Sequence, residues 1–169
     1  MRVYLPATVR MLDRWLAAGA ATSVGTDADS GISAYAVTPA LRESYHDADL
    51  DELEYAAQIE ASVGSLRLLA IDRDALRCRV VVAADVADDL VHPRPEDGRA
   101  SVRVDGPVEV ARWASALVDA ADAAPVVETA VASLAAAAAG DDDARFALDE
   151  AEALELGWYA VQELPHLPR

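Results

Sequence analysis

The sequence predicts a single α+β domain, 1–169, built as a two-layer sandwich in which a mixed sheet of four or five strands carries helices mainly on one face. Its 169 residues suffice for one domain with a sizeable core. Hydrophobic residues make up 53% of them, so this core can be well packed. Strand-like and helix-like segments alternate early, a hairpin-like pair follows, and two helical segments close the chain. That order favours a sandwich, with an open three-layer sheet as the alternative.

The first part of the chain predicts a strand, a helix and a loop. Residues 2–5 alternate between polar and apolar side chains, which is typical of a short strand. Thr8 can cap a helix that runs to about Ala18 and stops at Gly19. The stretch 21–31 is polar, contains glycine and has no period, so we expect a flexible loop there.

A second predicted strand, 32–37, leads into a short helix. Thr38 can cap this helix, and Pro39 suits its first position because proline fixes the backbone angle that a helix needs there. The helix is expected to run to about Tyr45.

The longest predicted helix covers residues 50–71. Asp49 and Glu52 have the spacing of a capping box, which opens a helix. Apolar residues then follow at steps of three and four, as in a stripe that faces a core. Because the middle of this stripe consists of small side chains, we expect another element to approach closely there. The stripe comprises Leu50, Leu53, Ala57, Ala61, Gly64, Leu68 and Ile71.

Three segments of the second half predict strands. Residues 78–84 are rich in β-branched side chains, and residues 100–104 alternate in polarity. A connection rich in proline and aspartate, 85–99, joins them. The segment 108–118 is ambiguous and indicates a helical turn followed by a strand from Trp113.

Two helices are predicted to close the chain. Pro125 can begin the first, which runs through an alanine-rich stretch and stops at Gly140. The acidic residues 141–143 can cap the second, because negative charge is favoured at a helix N-terminus. This C-terminal helix is predicted to span 141–164.

The charge of the chain bears on its partners. Acidic residues number 30 and basic residues 14, which gives a net charge of −16, and every basic residue is Arg. Such a charge repels nucleic acid and anionic membranes, and no cluster of arginines is dense enough to bind phosphates. We therefore expect no nucleic-acid and no membrane partner. The charge favours either a purely solubilising surface or an acidic face that docks on a basic protein.

Most sequence signatures of catalysis are absent. The chain has no glycine-rich nucleotide-binding motif, no nucleophile elbow and no HExxH metal motif. Without lysine no Schiff base can form. Cys78 is the single cysteine, which excludes an intrachain disulfide and a thiolate zinc site, and we expect it to be buried in a strand. The sequence thus indicates no catalytic residue, no cofactor and no metal, and favours a protein that is not an enzyme.

The expected location is the cytoplasm. The first ten residues lack the long apolar stretch and cleavage site of a signal peptide. The longest apolar run, 132–139, is too short to span a bilayer.

A polar cluster is the candidate site. Glu60 and Glu150 each lie among small apolar side chains three and four residues away, and a buried carboxylate needs a partner. Arg42 precedes the long helix, and a guanidinium can bind two carboxylates at once. We expect either a structural network of Arg42 with these carboxylates or a polar pocket for a small cationic or hydroxylated ligand. His46 borders the cluster, whereas nothing brings it together with His92 and His166 as a metal site would require.

Five segments resemble a family of small acidic actinobacterial proteins that is named only as a domain of unknown function. They are MRVYLPAT, AYAVTPALRESY, DELEYAAQIEA, RVVVAADV and ARFALDEAE with WYAVQELPHL. The resemblance implies a bacterial cytosolic protein and brings no activity with it. It draws attention to three places in the chain: residues 38–42, Glu54 with Tyr55, and Asp149 with Glu150.

Two functions stay open from the sequence. The favoured one is a non-enzymatic cytosolic binding or regulatory protein that uses its acidic surface. The alternative is a small-ligand-binding domain or enzyme with a polar pocket around Arg42, His46, Tyr55 and Glu150. A closed cleft would support the alternative and a flat surface the favoured function. The candidate ligand-binding residues are Arg42, Tyr45, His46, Glu54, Tyr55, Glu60 and Glu150.

Overall fold

A seven-stranded antiparallel sheet forms the centre of the computed structural model, which describes residues 1–23 and 31–167. The strands are, in chain order, β1 Arg2–Thr8, β2 Ala20–Ala21, β3 Ile32–Ala36, β4 Arg79–Asp85, β5 Val91–Pro93, β6 Ser101–Val104, β7 Val108–Glu109, β8 Trp113–Val118 and β9 Gly157–Tyr159. The helices are α1 Val9–Ala18, α2 Pro39–Ser44, α3 Leu50–Ile71, α4 Ala124–Ala138 and α5 Asp142–Glu152. The fold is therefore α+β, as predicted.

The sheet is larger than predicted, and it is not mixed. Its strand order is β5-β6-β3-β1-β4-β8-β9, every neighbouring pair is antiparallel, and β2 with β7 forms a separate ribbon. The five predicted strands are all present and form the middle of the sheet. The two strands of this sheet that sequence reasoning missed, β5 and β9, lie at its edges and have three residues each, and the short ribbon of β2 and β7 was not predicted either. Strands of three residues are too short to show a periodic pattern in the sequence. They form because a neighbouring strand offers them hydrogen-bond partners.

The first strand also runs further than predicted. Its expected end lies before Pro6, but β1 continues to Thr8. The register pairs β1 with β3 only at Val3 and Tyr4, whereas β4 accompanies it along its whole length. Pro6 thus lies where one side of the strand has no partner, and a strand tolerates proline in such a position.

Helices cover both faces of the sheet. On one face Leu12 and Trp15 of α1 pack, together with Leu164, against the side chains that β1 and β4 direct to that side. On the other face α3 packs through Ala57 and Ala61. The far half of α3 then forms a third cluster with α4 and α5 through Leu66, Leu69, Val127, Ala130 and Ala151. Most of the helical mass consequently lies on the α3 side.

Local capping chemistry fixes three helix starts where the sequence places them. The Thr8 hydroxyl accepts the Met11 N–H at 3.2 Å, and the Thr38 hydroxyl accepts the Leu41 N–H at 3.1 Å. Asp49 and Glu52 form the predicted capping box at α3, whose bounds match the prediction. Gly19 ends α1 in the left-handed conformation, with a φ of 77°.

The predicted stripe on α3 is buried in its middle and exposed at its ends. Leu53, Ala57, Ala61 and Gly64 are buried, whereas the side chain of Leu50 is 51% exposed and that of Ile71 82%. A helix of 22 residues is about 33 Å long and overhangs the strands at both ends. At Gly64 a Cβ would lie 2.8 Å from Tyr35 Cε2, so the close approach expected at the small residues is real.

The end of the chain differs from the prediction. The C-terminal helix does not span 141–164, since α5 ends at Glu152 and the chain then forms β9 and a short 3-10 helix, Val161–His166. Two features outside the local sequence pattern stop the helix: β9 pairs with β8, and an arginine of the central sheet binds the last carbonyls of α5. The predicted loop 21–31 is described only in part, because Ala21 belongs to β2 and residues 24–30 lie outside the described residues.

That arginine is Arg79, the first residue of β4. Its side chain is fully buried and forms an ion pair with Asp119, Nη2 to Oδ1 at 2.7 Å. Its Nη1 donates to the Ala151 carbonyl at 2.6 Å and its Nη2 to the Leu154 carbonyl at 3.1 Å. Arg79 thereby ties the end of α5 to the sheet and fixes the position of Glu152 between these two carbonyls.

Among the described residues, one segment, 121–138, has the length and composition of a membrane-crossing helix, with a mean hydropathy of 1.2. It comprises a 3-10 turn and α4, and 22% of it is buried inside the protein. Here Glu128 pairs with Arg77, and Val127 and Ala130 are buried against α3 and α5.

Candidate functional site

An open groove of about 890 Å³ runs along α3. Its walls come from three places: the connection between α2 and α3, the first half of α3, and the last residue of α5. Five of its lining residues are acidic: Asp47, Asp51, Glu52, Glu60 and Glu152. We call this surface the acidic groove.

The turn before α3 brings its first wall into place. Tyr45 ends α2 in an extended conformation, and Asp47 adopts a left-handed φ of 63°, which Asp tolerates better than most residues. The chain reverses here and then enters the capping box that opens α3. As a result Tyr45, His46 and Asp47 lie beside the first turns of the long helix.

The carboxylates of the acidic groove have no cationic partner. None of the five forms an ion pair with another described residue, although arginines elsewhere pair readily, as Arg2 does with Asp85 and Arg79 with Asp119. Glu52 Oε2 accepts a hydrogen bond from the Asp49 N–H, as part of the capping box of α3. Glu60 Oε2 accepts the Ala100 N–H at 3.4 Å. His46 is the one lining residue that can carry a positive charge.

Burial and neighbouring charges both act on Glu152 of the acidic groove. Burial raises the pKa of its carboxyl, and the nearby charges of Asp149 and Glu60 raise it further, while Arg79 opposes them. The charged form of this carboxyl is therefore less stable in the folded protein than in water. A cation in the groove would stabilise that charged form.

Two tyrosines present their rings to the same groove. The side chain of Tyr45 is 47% exposed and that of Tyr55 58% exposed. A guanidinium or ammonium group is attracted to the face of an aromatic ring, and the attraction adds to that of neighbouring carboxylates. The groove thus combines two kinds of group that favour a cation.

Four of the seven predicted site residues line the acidic groove: Tyr45, His46, Tyr55 and Glu60. Glu54 does not, because it lies towards the sheet, where its Oε2 accepts the Tyr4 hydroxyl at 3.2 Å. Burial, together with this carboxylate, raises the pKa of Tyr4.

The prediction that Arg42 forms a network with Glu60 and Glu150 is wrong. Arg42 is exposed and makes no ion pair with a described residue, so it joins neither Glu60 nor Glu150. Glu150 lies on the exposed side of α5 with Phe146, where water solvates its charge and no partner is needed. Glu60 is satisfied instead by a backbone N–H.

Sequence reasoning missed four acidic residues of the groove: Asp47, Asp51, Glu52 and Glu152. For the first three a signal exists, since residues 47–54 contain acidic side chains at almost every second position. Glu152 gave no local signal, because its place in the groove depends on how Arg79 holds the end of α5. Among the described residues, no group of three or more His, Cys, Asp or Glu side chains is arranged to hold a metal ion.

Comparison with known families adds one finding. Residues 1–167 match the model of a family of unknown function, DUF6912. The chain belongs to this family. The predicted resemblance to a family of unknown function is therefore confirmed, and the match covers the acidic groove as well as the sheet. No curated protein and no solved structure matches the chain.

Proposed function

We propose that this DUF6912 protein is a non-enzymatic binding or regulatory protein whose acidic groove receives the cationic side chains of a basic partner protein. One observation carries the proposal: five carboxylates line a single groove, and none of them has an ion-pair partner among the described residues. Charges left uncompensated on one surface attract a partner of opposite charge and orient it.

The electrostatics favour a partner with several positive charges. One exposed ion pair contributes about 0.2–1 kcal/mol, so a single cation would bind weakly. A segment with several arginines or lysines could pair with Asp47, Asp51 and Glu152 together. It would also stabilise the charged form of Glu152, whose pKa burial raises. Binding of this kind is fast and depends on salt concentration.

The shape of the groove favours a protein segment over a small molecule. Sites for small molecules usually enclose most of the surface of their ligand. The acidic groove is open, and two of its walls are half-exposed tyrosine rings. The alternative of an enclosed pocket around Arg42, His46, Tyr55 and Glu150 would need four side chains that converge, and two of them do not line the groove.

The test is the binding of fluorescein-labelled hexa-arginine, followed by fluorescence anisotropy at physiological salt. The wild type is compared with the groove variant Asp47→Asn/Asp51→Asn/Glu152→Gln. A matched control variant neutralises three exposed carboxylates outside the groove, which make no ion pair among the described residues: Asp89→Asn, Glu109→Gln and Asp122→Asn. Both triple variants change the net charge equally.

We expect the groove variant to bind about tenfold more weakly than the wild type, since three pairs of about 0.5 kcal/mol each are lost. The control variant should stay within about twofold of the wild type, because the charges that it lacks are remote from the groove. Equal weakening in both variants would show that the overall charge attracts the peptide, and the proposal would be wrong. The absence of any binding would also refute it.

A further inference from the structure

A second, smaller hollow lies beside the acidic groove. It has a volume of about 150 Å³, and Tyr55 and Ile59 of α3 line both the hollow and the groove. Its other walls are Gln58 and Ser62 of α3 and the segment 154–156 between α5 and β9. We call it the side pocket.

Three of the seven residues that line the side pocket are aliphatic. Ile59, Leu154 and Leu156 are half-buried, so each exposes part of its side chain. The Ser62 hydroxyl donates to the Ile59 carbonyl at 2.8 Å and is thereby satisfied within its own helix. The volume of about 150 Å³ leaves room for one large side chain against this aliphatic wall.

The wall formed by Leu154 is held in place. Arg79 Nη2 donates to the Leu154 carbonyl, and the arginine itself is fixed by its ion pair with Asp119. Leu154 also packs on the cluster formed by α3, α4 and α5. The side pocket is therefore a preformed feature, and a ligand need not create it.

Acidic side chains surround the side pocket. Glu60 and Glu152 lie on the groove side, and Glu155 lines the pocket itself. An apolar group that enters the pocket is therefore accepted most readily when cationic groups flank it. Such a combination occurs in a protein segment in which a large aliphatic residue stands between arginines or lysines.

We infer that the basic partner presents a large aliphatic side chain next to its cationic residues, and that this side chain occupies the side pocket. The inference rests on the proposed function of the groove and adds the partner's sequence preference to it. Cationic residues alone would be bound by the groove, whereas the aliphatic residue selects among basic segments.

The experiment uses two fluorescein-labelled heptapeptides that consist of arginine around a central leucine or a central serine. Affinities for the full chain are measured by anisotropy at physiological salt. The test variant is Ile59→Ala, which removes part of the pocket wall and keeps a good helix former. The matched control is Ile71→Ala, the same change on the same helix at a position that lines neither the groove nor the pocket.

We expect the wild type to bind the leucine peptide about tenfold more tightly than the serine peptide, as burial of most of an aliphatic side chain allows. In Ile59→Ala this ratio should fall to about twofold, through weaker binding of the leucine peptide only. In Ile71→Ala it should stay near tenfold. The affinity for the serine peptide shows in each variant that the groove is intact.

Three results would overturn the inference in distinguishable ways. If the wild type binds both peptides equally, the groove binds cations as proposed and the side pocket selects nothing. If the wild type binds neither peptide, the proposed function fails and the inference fails with it. A ratio that falls equally in Ile59→Ala and Ile71→Ala would likewise refute the role of the side pocket.

Discussion

The guanidinium of Arg79 and the carboxylate of Asp119 face each other in the interior, and each side chain is only 1% exposed. Three hydrogen bonds join the two groups, at 2.7 to 3.2 Å, and the Arg79 backbone N–H donates a fourth to Asp119. The carbonyls of Ala151 and Leu154 accept further hydrogen bonds from Nη1 and Nη2. Burial of two charges is costly, and these hydrogen bonds offset that cost.

The first prediction concerns the loss of this arginine. Arg79→Met strands the Asp119 carboxylate in the interior and leaves two carbonyls at the end of α5 without their donor. We expect a loss of about 3–5 kcal/mol in the free energy of unfolding, measured by urea denaturation at neutral pH. The double variant Arg79→Met/Asp119→Leu should lose less than the single variant, because no charge is left buried. A single variant as stable as the wild type would contradict this account.

The second prediction concerns the contact of α3 with the sheet at Gly64. A Cβ there would lie 2.8 Å from Tyr35 Cε2 and 3.1 Å from Pro6 Cβ. Alanine in place of glycine stabilises a helix interior by about 1 kcal/mol, whereas overpacking costs about 1–3 kcal/mol. We expect the cost to be larger, so that Gly64→Ala lowers the melting temperature. In a Tyr35→Leu background, where the ring is absent, the same change should be neutral or stabilising. If Gly64→Ala alone stabilised the protein, Tyr35 would be able to move aside at little cost, and the prediction would be wrong.

The third prediction concerns the pH dependence of stability at Glu152. Burial raises the pKa of this carboxyl above its ordinary value of 4.5, so the folded state binds the proton more tightly than the unfolded state does. The free energy of unfolding therefore decreases as pH rises from the ordinary value through the folded one. Glu152→Gln should melt at a higher temperature than the wild type at pH 7, and the difference should vanish below pH 4. Glu150→Gln, at an exposed position two residues earlier, is the matched control and should change little.

The fourth prediction concerns the thiol of Cys78, which is half-buried beside β4 and not fully buried in the strand as expected. Burial raises the pKa of the thiol to about 11, and the nearby Asp119 adds to the effect. Because the thiolate is the reactive form, and because its higher nucleophilicity offsets only part of its lower population, labelling by a disulfide reagent at pH 8 should be about tenfold slower in the folded chain than in urea. Equal rates in both states would show that the thiol is freely accessible.

Local chemistry explains which parts of the fold the sequence predicts. At the starts of α1, α2 and α3 the capping side chain binds a backbone N–H three residues later, as Asp49 binds that of Glu52. A short window of sequence therefore contains all the information that predicts each start. The strands β5 and β9 have no such signal. They form because β6 and β8 offer them an edge, which is a property of the assembled sheet.

The candidate site shows the same division. Tyr45, His46, Tyr55 and Glu60 were predictable because they lie close together in the chain around the start of α3. Arg42 lies equally close and still points away, since proximity in sequence does not fix the direction of a side chain. Arg79 interrupts an apolar strand pattern, and its role becomes visible only when residues far along the chain are brought to it.

Those distances constrain the order in which the chain can acquire its structure during synthesis. The partners of Arg79 lie 40, 72 and 75 residues downstream of it. Strand β4 is therefore synthesised long before the partners that neutralise the Arg79 charge and accept its hydrogen bonds. Until Leu154 has been translated, burial of β4 would enclose a guanidinium without its acceptors, which is strongly unfavourable. We therefore expect the sheet to close late, so that a nascent chain that stalls before this point exposes part of its core.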